Sequence, residues 1–452
     1  MATLDTLMVD LIAEVTRIQA PAALPDKDGD SFSMPGLIAT GDGRSITTSR
    51  EMERLIEAVA QELKRGDPSI SQRHTDKEWN WLVRGTFGPA LMLIDLDDDA
   101  AENTQLLLTS IRSQIDVAAS AQDREYAFGC TLFGTFEVAP FSIGPVTFEP
   151  RANWLTRKQS EREISGTTAR RVQKSWKGTK LRERKQRYDA MQERDVLDAV
   201  GKCPYVCSVR TTGLASEAGR LKAQTASHLA MAAVALRWAT PSGALAGFRL
   251  LTDPGIRHQR SLVFVPGVRM LAGAHLVGMP HGPSISPKDW LTELEARKDD
   301  FAVIGQAIEY FLSVSGFTAR PKVMNVLVQA LLWFYEACRE EVDLMAVVKF
   351  TATLDALANG GKSGGIRRLV NARLGIPDDK AIRKDGPTLK AAVDEIYSDG
   401  RSRTIHGTND KLGKDWSSTR RLAEQFARLC LIASVDWAVR NPSLDDPSAL
   451  QK

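Results

Sequence analysis

An arginine and a histidine stand close together near the end of the chain, in the stretch Arg401-Ser402-Arg403-Thr404-Ile405-His406-Gly407. An arginine guanidinium presents a rigid fork of N–H donors that suits phosphate oxygens. Histidine is the side chain whose ordinary pKa lies closest to neutrality, so it can accept or donate a proton under physiological conditions. These two residue types at this spacing predict chemistry at a phosphodiester.

The spacing also predicts how a helix would arrange these side chains. Ser402 and His406 are four residues apart and would share one face, with Arg401 one position away. Arg403 and His406 are three apart and would be neighbours as well. Glycine is the residue expected just past a helix end, so Gly407 predicts that His406 lies in the last turn.

Cleavage of RNA suits this set because RNA carries its own nucleophile, the 2′-hydroxyl group, and no metal is obligatory. In this interpretation Arg401 stabilises the phosphorane charge, His406 transfers a proton and Ser402 orients either of them. Arg403 would contact the substrate. One histidine supplies only one acid–base group, so a symmetric dimer that brings two copies of the stretch into one cleft would complete the site.

Two observations limit this interpretation. The pattern of Arg followed closely by His recurs at Arg269 and His275, in an apolar, Gly-rich segment that predicts packing rather than catalysis. In addition, Arg401 and His406 could merely end a helix and contact solvent, because a histidine near a helix end is ordinary. Only the C-terminal match is preceded by Tyr397 in a run of predicted helices and followed by a long closing helix.

The 452 residues predict two or three domains, because a single hydrophobic core rarely organises a chain of this length. Lys plus Arg (59) nearly balances Asp plus Glu (56), so attraction to polyanions must come from local clusters. The five cysteines form no disulfide-like framework. The amphipathic N-terminal helix pattern is not that of a signal peptide, and no stretch is apolar enough to span a membrane, so we expect a soluble cytoplasmic protein.

Three regions differ in their patterns. Residues 1–150 combine helical periodicity with strand-like runs and predict an α+β region. Residues 151–298 begin with a basic segment and continue as a second α+β region for sensing or substrate capture. Residues 299–445 show only helical periodicity and predict an all-α bundle, so the expected fold class is α+β followed by a helical bundle.

The basic segment, residues 151–195, contains fourteen Lys or Arg against six acids, with Trp154, Trp176 and Tyr188 among them. Aromatic rings beside cations are what proteins use to bind single-stranded nucleic acid, so Arg170, Arg171 and Lys174 are predicted substrate contacts. The alternative is a solvated, partly disordered loop followed by an exposed helix from about residue 180 to residue 200.

Two further patterns could hold ligands. The segment Gly360-Gly361-Lys362-Ser363 resembles part of a phosphate-binding loop, but Ala356 occupies the position of the required first glycine and a helix precedes it. The carboxylates Asp95, Asp97, Asp98 and Asp99 could bind Mg²⁺, although a solvated loop before a helix is the favoured interpretation. No metal and no cofactor is therefore predicted.

Residues 299–440 resemble the HEPN superfamily, specifically its Apea-like branch, in which an Arg-polar-x-x-x-His element ends the penultimate helix. Arg401, Ser402, His406 and Gly407 match that element. Serine stands at 402 where the superfamily often has asparagine, which departs from the pattern at the orienting position. Asp355 falls where relatives tend to carry an acidic residue.

The resemblance implies a metal-independent endoribonuclease that acts as a homodimer and, in bacteria, defends against phage by cutting host or viral RNA. The implied partners are RNA, with tRNA as one candidate, and a phage-derived trigger of unknown nature. The alternative is a HEPN bundle without catalysis, used for dimerisation or for binding RNA or nucleotide. Retention of both Arg401 and His406 favours the nuclease.

Overall fold

A computed structural model describes residues 3–20, 27–28, 31–32, 36–118, 123–134, 137–185, 187–254, 259–263, 271–275, 282–316 and 318–452. The chain divides into two compact units. The first consists of residues 1–124 and 211–222, and the second of residues 125–210 and 223–452.

The first unit is mainly helical. Its elements are α1 (Leu4–Gln19), β1 (Lys27–Asp28), β2 (Ser31–Phe32), β3 (Gly36–Ala39), β4 (Ser45–Thr48), α2 (Arg50–Gly66), α3 (Ile70–Arg73), α4 (Asp76–Leu91) and α5 (Ala100–Ala118). Apolar faces of α1, α2, α4 and α5 form its core. Thr75 and Glu78 form a capping box at the start of α4, which stabilises that helix end. Asp99 accepts backbone N–H groups of Ala101 and Glu102 and so begins α5, as the solvated-loop interpretation expects.

The second unit contains a five-stranded sheet in the order β6-β7-β8-β5-β9. Its strands are β5 (Arg124–Thr131), β6 (Phe141–Ile143), β7 (Val146–Pro150), β8 (Tyr205–Thr211) and β9 (Arg249–Leu250). The pairs β6/β7, β7/β8 and β5/β9 are antiparallel. A separate antiparallel pair joins β10 (Gln259–Val263) and β11 (Leu271–His275). Aromatic and β-branched residues dominate β6, β7 and β8, as strand propensity predicts.

The remaining helices before residue 287 are α6 (Arg151–Ser160), α7 (Gly166–Trp176), α8 (Arg187–Val200), α9 (Ser216–Ala235) and α10 (Pro241–Gly247). After them come α11 (Pro287–Ala296), α12 (Lys298–Leu312), α13 (Pro321–Cys338), α14 (Asp343–Leu357), α15 (Lys362–Leu374), α16 (Leu389–Asp394), a π-helix (Glu395–Ser402), α17 (Arg403–Ile405), α18 (Ser417–Arg440) and a 3-10 helix (Pro447–Gln451). After residue 286 all secondary-structure elements of the described residues are helices. Together with the sheet that precedes them, they confirm the mixed α+β character of the chain.

The predicted boundaries at residues 150 and 298 both lie inside the second unit. The sheet crosses the boundary at residue 150, because β7 ends at that residue and pairs with β8, which lies after it in the chain. The second is crossed by packing between helix and sheet: Gly144, in the β6–β7 turn with a φ of +56°, lies against Gly305 of α12. A Cβ at residue 305 would lie 2.7 Å from the backbone nitrogen of Gly144, so only glycine permits this approach. The sheet and the C-terminal helices therefore share one hydrophobic core.

The basic segment is more regular than the loop interpretation predicts. Helices α6 and α7 occupy most of its first half, and α8 begins at Arg187 rather than near residue 180. Trp154, Leu155 and Val172 form a small core with Val200 and Val206, which holds these helices against the sheet. Burial of one apolar face thus orders a stretch whose composition is that of a solvated loop.

Candidate functional site

The π-helix brings Arg401 to the site and is shaped by a close approach to α14. A Cβ at Gly400 would lie 2.6 Å from Cγ1 of Val347, so glycine allows the two helices to touch there. The hydroxyl of Thr351 on α14 also donates to the carbonyl oxygen of Ile396 at 3.2 Å. Single π turns often occur at functional positions, where they redirect a side chain.

The helix ends where Gly407 predicts. Gly407 has a φ of +70°, the left-handed conformation that costs glycine little. Its N–H donates to the carbonyl of Thr404, and the N–H of Thr408 donates to the carbonyl of Arg403. This pair of hydrogen bonds is the Schellman arrangement, in which His406 is the C-cap residue directly after α17. The side chain of His406 is exposed at this end.

The guanidinium of Arg401 is held by one residue from its own helix and one from α14. It lies over the ring of Tyr397, 5.4 Å from the ring centroid, and Nη1 donates to the Tyr397 hydroxyl at 3.4 Å. Nη2 lies 3.8 Å from Oδ2 of Asp355, an ion pair without a close hydrogen bond. Nε is buried and has no hydrogen-bond partner in the described part of the chain. With 27% of its side chain exposed, Arg401 is oriented yet still reachable.

Asp355 links this arginine to the glycine-rich turn that follows α14. Its Oδ1 accepts the backbone N–H of Lys362 at 3.0 Å, while Oδ2 faces Arg401. The turn contains three residues with positive φ, Asn359, Gly360 and Lys362. The segment that resembles a phosphate-binding loop thus anchors the carboxylate beside Arg401.

Ser402 and His406 lie on successive turns, and the backbone N–H of His406 donates to the carbonyl of Ser402 at 3.0 Å. This agrees with their predicted common face. Arg403 is exposed and lies near two carboxylates, 3.6 Å from Asp399 and 3.5 Å from Asp410. Exposed pairs of this kind contribute little free energy, so Arg403 can exchange them for a phosphate.

The loop after His406 is fastened to the same helix. Lys411 pairs with Asp399 at 2.9 Å, and the Asn409 side chain donates to the Thr404 hydroxyl at 2.8 Å. The indole of Trp416 is buried and donates to the carbonyl of Lys411 at 3.1 Å. Lys414 forms an ion pair with Glu395 at 3.0 Å. Burial tends to raise the pKa of Glu395, but hydrogen bonds from Thr419 and Lys414 outweigh this effect, so the pKa of Glu395 is lowered. The helix end is therefore rigidly framed.

The predicted substrate contacts on the basic segment divide into two kinds. Arg170 and Lys174 have exposed side chains. Arg171 instead forms a bidentate ion pair with Glu193, at 2.6 and 3.2 Å. Such a pair holds the guanidinium in the protein, which makes Arg171 a structural residue first.

The predicted stacking aromatics divide in the same way, and Trp154 needs correction. Trp154 is 5% exposed because it fills the small core of the segment. Trp176 is half-buried and lies under the guanidinium of Arg151, 4.9 Å from ring centroid to Cζ. Only Tyr188 of the three is exposed. Their interleaving with cations in the sequence does not reveal which ring faces the core.

Tyr397 has a role that the motif alone does not assign. Its spacing of four residues from Arg401 is the available signal, since residues at that spacing are neighbours on a helix.

The second match to the Arg–His pattern in the sequence is Arg269 and His275. His275 is the last residue of β11, whereas Arg269 lies outside the described residues.

All five cysteines are free and buried. Burial raises the pKa of Cys207 and of Cys430 to about 12, which keeps both thiols protonated and unreactive at neutral pH. Within the described ranges, no group of three or more His, Cys, Asp or Glu could hold a metal ion. No helix among them is both long and apolar enough to cross a membrane.

No protein-family model, no curated protein and no solved structure matches this chain.

Proposed function

We propose that this protein is a metal-independent endoribonuclease of bacterial antiviral defence, acting as a homodimer with Arg401 and His406 at the cleavage site. The observation that carries the proposal is the oriented guanidinium of Arg401, set by Tyr397 and Asp355, five residues before the exposed His406 at the same helix end. The place in defence rests on the resemblance to the Apea-like HEPN branch.

The reaction needs only groups of the RNA and of this chain. The 2′-oxygen attacks the adjacent phosphorus, a bond forms between them, and the bond from phosphorus to the 5′-oxygen of the next nucleotide breaks. The products are a 2′,3′-cyclic phosphate and a free 5′-hydroxyl. Proton transfer by a positioned histidine contributes about 10²- to 10⁴-fold in rate.

Each residue has one task in this scheme. Neutral His406 accepts the 2′-hydroxyl proton, and the protonated His406 of a second copy protonates the leaving oxygen. Arg401 donates to the phosphorane oxygens as negative charge builds there, an electrostatic effect strongest where water is excluded. Ser402, on the turn before His406, orients the substrate or the imidazole. Arg403 gives up its exposed carboxylate contacts and holds a flanking phosphate.

The deciding experiment measures cleavage of labelled RNA in EDTA by the wild type, His406→Ala and His275→Ala. We expect the wild type and His275→Ala to produce 2′,3′-cyclic phosphate ends, and His406→Ala to lose about 10²- to 10⁴-fold in rate. A substrate with deoxyribose at the cleaved position should resist all three proteins. Equal cutting by His406→Ala, or no cutting of tRNA, mRNA and rRNA pools by the wild type, rejects the nuclease.

The second candidate is a non-catalytic dimerisation or RNA-binding module. The contact between Arg401 and Asp355 favours it, because that carboxylate partly neutralises the guanidinium before any substrate binds. This candidate predicts RNA binding that neither His406→Ala nor deoxyribose substitution changes, with no product formed. The defence role is tested separately by phage plating on cells that express the wild type or His406→Ala, where only the wild type should protect.

A further inference from the structure

The cations of the basic segment separate into a paired set and a free set. Two members of the paired set contact acids of the sheet. Arg157 forms hydrogen-bonded ion pairs with Glu125 and Glu149, and Lys158 forms an ion pair with Glu125 at 3.0 Å. Arg184 contributes a hydrogen bond to the Thr168 hydroxyl at 2.8 Å and an ion pair with Asp189. These contacts stabilise the fold and leave their cations little capacity for a ligand.

The free set faces solvent on α7, on α8 and on the connection between them. Eight cations belong to it, and none forms an ion pair with a described residue: Arg170, Lys174, Lys177, Lys180, Arg182, Lys185, Arg187 and Arg194. Over residues 166–200, leaving aside residue 186, the exposed acids are Glu183, Asp195 and Asp198. We call these eight side chains the basic surface. Its eight cations outnumber these exposed acids, although the chain as a whole is close to neutral.

The connection that carries half of the basic surface is fixed to α7 by the paired set. Nη2 of Arg171 donates to the carbonyl of Arg182 at 2.7 Å, and Arg184 reaches the Thr168 hydroxyl. Ser165 caps the start of α7 by accepting the N–H of Thr168. Cations on an ordered backbone lose less conformational entropy when they bind than cations on a flexible loop. The structural pairs therefore pre-organise the free cations.

Two exposed apolar side chains accompany these charges. Tyr188 is 70% exposed and Met191 53% exposed, and their spacing of three residues places them together on α8. The neighbouring residues Lys185, Arg187 and Arg194 belong to the basic surface. An exposed aromatic ring beside cations is the combination that binds the bases and phosphates of a single strand.

These features favour one occupant. Duplex RNA offers phosphates and a shallow minor groove. Its bases are stacked inside the helix, so they cannot stack on an exposed tyrosine ring. A single strand offers both phosphates for the cations and unstacked bases for Tyr188, with Met191 as an apolar neighbour. An anionic membrane would also attract the charges, but two apolar side chains present little surface to lipid.

We infer that the basic surface, with Tyr188 and Met191, is a binding site for single-stranded RNA, separate in the chain from Arg401 and His406. This inference rests on the proposed function for the identity of the nucleic acid as substrate. It assigns base stacking to Tyr188 and phosphate contacts to the eight free cations, and it removes Arg171 from the contact set.

The test uses an oligonucleotide that the proposed chemistry cannot cut, a fluorescent single-stranded RNA with 2′-O-methyl groups throughout. Affinity is measured by anisotropy at several chloride concentrations for the full-length protein and for the triple variant Lys174→Gln/Lys177→Gln/Arg194→Gln. Loss of three phosphate contacts should reduce the slope of log affinity against log salt by about 2. The control Lys380→Gln/Lys384→Gln/Lys390→Gln removes the same charge from exposed positions elsewhere and should leave the slope unchanged.

A second pair of variants tests the stacking. Tyr188→Ala should weaken binding by about 5- to 100-fold, while Tyr188→Trp should preserve it. Trp81→Ala is the matched control, because Trp81 is 77% exposed on α4 and should not affect binding. Melting curves verify that each variant folds.

The inference is overturned if the basic-surface variant keeps the wild-type salt slope, or if Tyr188→Ala binds as tightly as Trp81→Ala. It is also overturned if the variants lose binding to phosphatidylserine vesicles and retain binding to the oligonucleotide. Its failure differs from failure of the nuclease. If RNA cleavage is normal and these variants do not change RNA binding, only the inference about the basic surface is rejected. If the variants weaken RNA binding but no RNA is cleaved, only the nuclease proposal is rejected.

Discussion

The stretch 401–406 and the basic segment 151–195 differ in how many of their cations are paired and with what. Arg401 receives Asp355 from α14, so a distant helix completes a short motif. In the basic segment Arg184 pairs with the nearby Asp189 and Arg171 with Glu193 of the next helix, eight other cations form no ion pair among the residues that the structure describes, and Trp154 lies in a local core. One site is assembled around a single oriented arginine, whereas the other uses part of its charge for its own stability.

This difference shows that the role of a cation depends on the group that it contacts and not on its neighbours in the sequence. Arg170 and Arg171 are adjacent, yet one is exposed and the other is bound to Glu193. Composition indicates that a surface is basic. It does not indicate which side chains are free to bind a ligand.

The largest expected effect is at the assembled site. Arg401→Lys keeps the charge but removes the planar fork that Tyr397 and Asp355 orient, so RNA cleavage should fall by about 10²- to 10³-fold. Arg420→Lys is the control, since Arg420 forms an ion pair with Asp343 at 2.8 Å in the same helical region. Single-turnover rates should separate the two variants, and equal rates would mean that Arg401 has no special role.

The next effect measures what the paired cations of the basic segment contribute. Arg157→Ala leaves Glu125 and Glu149 without their main partner, so the free energy of unfolding should fall by about 2–4 kcal/mol. Lys174→Ala removes an exposed cation and should change it by less than about 0.5 kcal/mol. Urea denaturation compares the two variants. Similar losses would abolish the distinction between the paired and free sets.

A steric variant tests how the π-helix presents Arg401. Gly400→Ala would place a methyl group against Val347, so we expect a loss of about 1–3 kcal/mol in unfolding free energy and slower cleavage. Val347→Ala in the same chain should restore part of both, because it removes the clashing group. Gly413→Ala, whose Cβ would meet no heavy atom within 4 Å, is the control. Full activity of Gly400→Ala would show that the π-helix geometry is not required.

The smallest effect concerns the pH dependence of the paired set. Burial alone would raise the pKa of Glu125, but hydrogen bonds from Arg157 and Lys158 lower it from 4.5 to about 2. A carboxyl with a lowered folded-state pKa stabilises the fold above its unfolded pKa and loses that contribution as the pH falls through the folded value. Wild-type stability should therefore decline between about pH 4.5 and pH 2 more steeply than that of Glu125→Gln. Parallel thermal unfolding curves over this range would contradict the assignment.

Local patterns were sufficient for several elements. The run Tyr205–Thr211, rich in aromatic and β-branched residues, is strand β8, and the helical periodicity of residues 299–445 includes the apolar stripes that are buried in α13 and α14. Gly407 ends the helix at His406 as predicted. These features follow from the residue itself or from neighbours within one or two turns, so the sequence pattern contains the information.

Long-range contacts decided the rest. Asp355 lies beside Arg401 only because α14 packs against the π-helix at Gly400, and no periodicity records that contact. The basic segment became three ordered helices because β8, which follows it in the chain, pairs with β7, which precedes it. The sequence by itself determined the apolar stripes of the C-terminal helices, the helix end at Gly407 and which residues could do chemistry. Tertiary structure alone decided which charges remain free to do it, because burial and pairing depend on residues far apart in the chain.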